Sequence, residues 1–124
     1  MPVAPGPSIQ LFGFPDSRPT QAALRFFKDR RINVVYVDLR RKPIAPGELK
    51  RFVEKLGAEA LLDTESKRHK DLGLGYLRLD PDQIVTRLLA DNSLLRLPLV
   101  RYGMLFTAGP ADATWKAWLS AVKF

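Results

Sequence analysis

Apolar and polar positions follow two periods along this chain, and the switches between them mark out its elements. Residues 8–12 form a short apolar run containing Ile9, Leu11 and Phe12, the pattern of a strand. Pro15, Asp16 and Ser17 interrupt it, and from Pro19 to Arg31 the apolar Ala23, Phe26 and Phe27 share one face at helical spacing. Pro19 suits the first turn of that helix, where a missing N–H is no loss. Val34, Val35, Tyr36 and Val37 follow without interruption within residues 33–38, as expected of a parallel strand covered on both faces. Strand, helix and strand in this order predict a right-handed βαβ unit.

A second helix is predicted from Pro46, with Leu49, Phe52, Val53 and Leu56 at i, i+3, i+4 and i+7 and Gly57 as its stop. Residues 58–75 carry a charged stretch and predict a short helix and loops. Asp80-Pro81-Asp82-Gln83 then has the features of a helix start: an aspartate cap, proline at the first position, and a glutamine able to reach back. Ile84, Val85, Leu88 and Leu89 give that helix its buried face. Residues 97–100 and 104–107, joined through Tyr102-Gly103, predict a closing hairpin. A last helix places Trp115, Trp118, Leu119 and Val122 on one side, where they serve as core rather than as a binding box.

The 124 residues, 46% hydrophobic and 27% charged, suit one globular domain over residues 8–124, preceded by a loose, proline-stiffened tail at 1–7. The net charge of +7 is read as a solvated basic surface. Arg40-Arg41-Lys42 and Lys67-Arg68-His69-Lys70 lack interleaved aromatics, so direct nucleic-acid binding is not expected. The chain has no cysteine, which excludes disulfides, thiolate zinc sites and catalysis by a thiol of its own. With a single histidine, His69, no metal site and no cofactor are expected, and His69 is expected to be a solvated surface residue. No apolar stretch reaches the ~18 residues of a membrane span, and the opening residues lack the parts of a signal peptide, so a cytoplasmic location is expected.

The order β-α-β, a helical middle, then β-β-α is that of an α/β thioredoxin-like fold: a mixed four-stranded sheet with a helical insertion. Local motifs narrow it. They are Leu11-Phe12-Gly13, Tyr36-Val37-Asp38-Leu39-Arg40, Gly47-Glu48-Leu49, Ala60-Leu61-Leu62-Asp63-Thr64, Lys70-Asp71-Leu72-Gly73-Leu74, the run from Leu94 to Val100, and Thr114-Trp115. From about Ile9 to Leu119 the chain resembles the ArsC/Spx family of arsenate reductases, YffB-type proteins and Spx transcriptional regulators. The resemblance implies a nucleophilic cysteine at the start of the first helix and arginines that hold an oxyanion. The cysteine position falls on Ser17, and the arginine positions fall on Asp63, on Leu97 with Arg96 beside it, and close to Gly109. A carboxylate at Asp63 repels an oxyanion and Leu97 offers it no donor.

A serine hydroxyl needs an adjacent base to attack at neutral pH, and His69 lies far along the chain. Ser17 is therefore expected to cap its helix, and no catalytic residue is expected. The parallel loss of the arginines points to inherited loss of activity, that is, to a pseudoenzyme. The resemblance implies that Pro98 is a cis-proline facing Ser17, beside which an extended thiol or peptide can pair; shaping the turn into the hairpin is an equal reading. Arg18 and Thr20 either hold an anion together with helix amides or simply bond water.

The expectation is a binding or regulatory module whose cleft comprises Ser17, Arg18, Thr20, Leu97 and Pro98. Its ligand is a small anion, glutathione or an extended peptide. One alternative is an Spx-like regulator contacting the C-terminal domain of the RNA polymerase α subunit around Gly57, a residue for which the helix stop is the favoured explanation. The other is a glutathione-dependent reductase that draws its sulfur from elsewhere.

Overall fold

A computed structural model describes residues 9–121. The expected tail at 1–7, Ser8 and Val122 lie outside the described residues. Four strands, β1 (Ile9–Gly13), β2 (Val34–Asp38), β3 (Leu99–Tyr102) and β4 (Leu105–Ala108), form one sheet in the order β2-β1-β3-β4. β1 runs parallel to β2 and antiparallel to β3, and β3 and β4 form the hairpin. The fold is thus the mixed α/β sheet that the element order implies. Its helices are α1 (Arg18–Asp29), α2 (Pro46–Leu56), α3 (Ala58–Leu61), α4 (Lys67–Asp71), α5 (Pro81–Ala90) and α6 (Asp112–Ala121). Short 3₁₀ turns occupy Leu74–Tyr76 and Asn92–Leu94.

Because strand side chains alternate between faces, the sheet carries two cores. On one side Ile9, Leu11 and Val100 meet Ala23, Phe26 and Phe27 of α1 and Trp115 and Trp118 of α6. Both tryptophans are buried, as their helical spacing predicts. The Trp115 ring centroid lies 5.2 Å from that of Phe27, and its indole Nε1 donates to Thr107 Oγ1 at 2.9 Å, so the buried N–H is satisfied. On the other side Phe12, Phe52 of α2 and Phe106 stack edge to face, with centroids 5.8 and 4.9 Å apart. Fully burying one such ring contributes roughly 2–3 kcal/mol. Glu48 at the start of α2 accepts from Arg101 of β3 at 3.1 Å, tying helix to sheet at the edge of this core.

Residues 39–98 join β2 to β3 and contain α2 to α5. Gly57, at φ 86°, ends α2 by donating its N–H to Val53 O at 2.8 Å, and α3 begins one residue later. The hairpin differs slightly from expectation. Pro98 precedes the first strand rather than joining it, and pairing extends to Tyr102 opposite Leu105. This leaves a two-residue turn with Gly103 at φ 58°, a conformation suited to glycine.

His69 corrects the expectation from its charged neighbours. It is 7% exposed, held inward on α4 with Leu74 packed nearby, while Lys67, Arg68 and Lys70 face solvent. A helix five residues long in a polar run still turns one side inward, and here that side is the imidazole.

Candidate functional site

β1 ends at Gly13, where the backbone must pass very close to α1. A Cβ built on Gly13 would collide with the side chain of Thr20, so glycine is needed for this approach. Thr20 is fully buried, and its hydroxyl has no hydrogen-bond partner among the described residues. Thr20 occupies a packing position, against Gly13 rather than on an open surface.

Ser17 takes the extended conformation of a helix cap and its Oγ accepts from Thr20 N at 3.3 Å. The turn before it is closed by Ser17 N donating to Phe14 O at 3.0 Å and by Gln21 Nε2 donating to Pro15 O at 2.7 Å. None of these bonds involves His69. Ser17 is half-buried and Arg18 exposed.

A second loop lies alongside. Leu39 N donates to Gly13 O at 2.9 Å, Arg41 N and Lys42 N turn back onto Asp38 O, and Arg40 pairs with Asp16 at 2.9 Å. Asp16 is thereby neutralised, while Arg18, Arg41 and Lys42 have no ion pair among the described residues. Of these cations only Arg18 belongs to the first turn of α1, and the Asp38 carboxylate of the same loop accepts from Arg40 N at 2.9 Å. Burial raises the pKa of Tyr36; the charges of Asp38 and Asp16 push the same way and that of Arg40 opposes them, so the phenol remains protonated at neutral pH.

The third wall comes from the segment entering β3. The Leu97–Pro98 peptide is cis. Phe12 pairs with Leu99, and continuing that antiparallel register by one residue brings Pro98 level with Gly13, at the same end of the sheet as the Ser17 turn. Pro98 is buried and Leu97 half-buried against the core.

The positions where the resemblance implies arginines are all otherwise employed. The Asp63 carboxylate accepts from Glu65 N at 3.1 Å, closing its own turn. Gly109, at φ 79°, donates its N–H to both Arg96 O and Pro98 O at 3.0 Å. A Cβ there would stand 2.9 Å from Cγ and Cδ of Arg96. The Arg96 stem thus covers Gly109, and its guanidinium turns to Leu62 O at 3.3 Å. Its Nε is buried without a partner among the described residues. Arg96 fixes the strand entry to the loop after α3; sequence reasoning placed it near the site but missed this role, and the signal for it was a glycine at the facing position. Gly57 is exposed, at the α2–α3 junction, with open space around it.

Among the described residues no group of three His, Asp or Glu side chains is placed to hold a metal ion, and no helix is long and apolar enough to cross a membrane.

Comparison with solved structures finds the same fold at low identity. The YFFB protein superposes with a TM-score of 0.82 at 17% identity, covering 89% of this chain and 97% of that one. An arsenate reductase from Vibrio cholerae gives 0.76 at 18% identity, over 89% and 96%. An arsenate reductase (ArsC) related protein from Brucella melitensis gives 0.70 at 19% identity, over 94% and 98%. No curated protein sequence matches the chain significantly. The sequence profile of the ArsC family matches residues 12–118, from the end of β1 to Trp118 in α6. With its four-stranded sheet, its helical insertion and no cysteine at any position, the chain belongs to the ArsC family.

Proposed function

We propose that this protein is a non-catalytic member of its family, a binding or regulatory module whose ligand enters between the α1 N-terminus and the segment before β3. The observation that carries the reading is Ser17 itself. Its oxygen accepts the N–H of Thr20 as a cap, and among the described residues no base that a hydroxyl nucleophile requires is bonded to it. A serine also has no thiol to exchange, so neither an arsenate adduct nor a mixed disulfide forms on this chain.

What the cleft retains favours an anion. The first helical turn holds no acidic residue, and its own Arg18 is exposed. A small anion or the carboxylates of glutathione answer that charge, and an extended peptide can pair beside Pro98. The site comprises Ser17, Arg18, Leu97 and Pro98, with buried Thr20 supporting it from below. Titration with glutathione, sulfate and arsenate, followed through backbone amide shifts, is expected to move the signals of residues 17–20. Unchanged spectra with all three ligands remove the reading.

A second reading, an Spx-like regulator that holds the RNA polymerase α C-terminal domain, is favoured by the exposed Gly57 with open space about it. Capture of that domain by the wild-type chain and its loss in Gly57→Arg is the expected pair of results. No capture by the wild type eliminates this alternative.

A further inference from the structure

Three of the six large hydrophobic side chains that stand exposed among the described residues lie within one six-residue stretch of the insertion: Leu72, Tyr76 and Leu77. Tyr76 is 96% exposed, projecting from the short 3₁₀ turn that follows Gly73 at φ 65°. Beside it runs a groove of about 560 Å³ whose apolar floor includes Leu62, Leu74 and Ile84. A smaller hollow bounded by Tyr76 shares Thr64, His69 and Gly75 with that groove. A projection and a recess able to receive it therefore sit side by side on one face.

The polar groups of this face repeat the pattern. The groove is lined by Glu59 and Arg78, the hollow by Lys70, and none of these has an ion pair among the described residues. An acidic partner would meet Glu59, and a basic one Arg78 and Lys70. A second copy related by a two-fold axis answers both, because a two-fold contact sets each patch against itself reversed. The His69 side chain has no hydrogen-bond partner among the described residues, and its ring borders both recesses. A phenol entering the groove needs such a partner for its hydroxyl once water is excluded.

We propose that this face of the helical insertion is an isologous contact between two copies of the chain. Tyr76 of each copy seats in the groove of the other with its hydroxyl toward His69, and Glu59 faces Arg78 across the axis. The inference does not rest on the Ser17 cleft, which is formed by other elements.

Sedimentation velocity of the full chain at concentrations on the order of 5 to 500 μM, the range of modest protein contacts, tests it. The expected result is a concentration-dependent passage from monomer to dimer. Tyr76→Ser and Glu59→Arg are each expected to weaken association roughly tenfold or more, since central aromatic anchors and facing charges dominate such contacts. All three side chains altered here are exposed, so the fold is preserved and unchanged circular dichroism verifies it. Combining Glu59→Arg with Arg78→Glu is expected to restore the dimer, because unlike charges again face each other. A monomer at every concentration, a dimer indifferent to Tyr76→Ser, or a double variant that stays monomeric would each overturn the proposal.

Discussion

Helices α1 and α5 both begin with a polar cap followed within two residues by proline, and their first turns are finished in opposite ways. At α5, Asp80 accepts from Gln83 N at 2.8 Å while Gln83 Oε1 accepts from Asp80 N at 2.9 Å, and Asp82 adds a carboxylate to the first turn. At α1, Ser17 makes one longer bond of 3.3 Å, the residue three positions on is a buried threonine with no reciprocal bond, and the first helical residue is Arg18. The positive end of α5 is neutralised by its own side chains. The positive end of α1 has no carboxylate in its first turn. The difference separates a helix start closed by its own side chains from one that, on the reading proposed above, is open to a ligand.

Five measurements break or sharpen that contrast. The largest effect is expected from Gly13→Ala, which forces a methyl into Thr20 and costs about 1–3 kcal/mol in urea denaturation. Pairing it with Thr20→Ala is expected to recover part of the loss, and strict additivity of the two would show that the contact is not what positions α1. Next comes Asp80→Ala, expected to lower stability by ~1–2 kcal/mol because it removes the carboxylate that accepts from Gln83 N, while the backbone N–H at position 80 can still donate to Gln83.

A second carboxylate cap, Asp91, adds a pH handle. Burial works against its charged form, but hydrogen bonds from Ser93 and from Arg68 of α4 hold its pKa below the usual range. A depressed folded pKa means that its contribution is present above the unfolded value near about 3.9 and is lost as pH falls through the folded value. Asp91→Asn is therefore expected to cost ~1 kcal/mol at pH 7, where the charged cap is intact. In strong acid the same substitution is expected to cost little, and a penalty that persisted there would refute the electrostatic account. The smallest effect belongs to Ser17→Ala, ~0.5 kcal/mol, at the low end for a cap. Sulfate is expected to raise the melting temperature of the wild type through ligand linkage, and Arg18→Glu to abolish that gain; an equal gain in the variant would place the anion elsewhere.

Much of this architecture was legible in the residues. The Asp80-Pro81-Asp82-Gln83 start, the Leu49, Phe52, Val53 and Leu56 stripe, and the stop at Gly57 all occur where local chemistry dictates, because caps and periodic faces are set by neighbours in sequence. The family was legible for the same reason, through short motifs in a fixed order. His69 was not, since its burial depends on how the insertion folds over it and not on the charged residues beside it. Nor was Arg96, whose course over Gly109 joins two segments separated along the chain and leaves no local pattern. Thr20 was weighed as a surface donor because hydroxyls at helix starts commonly meet water. Only the close passage of Gly13 reveals that this one is enclosed.

The covering of Gly109 by Arg96 bears on which residues position 109 can accept. Any larger residue at 109 must first dislodge an arginine stem held at its far end by Leu62 O, and at φ 79° it must also adopt a backbone shape that side chains disfavour. Regaining sulfur at position 17 alone leaves that obstacle in place. On the non-catalytic reading proposed above, position 17 and the packing at position 109 must change together, so no single substitution restores the arrangement that the family resemblance implies.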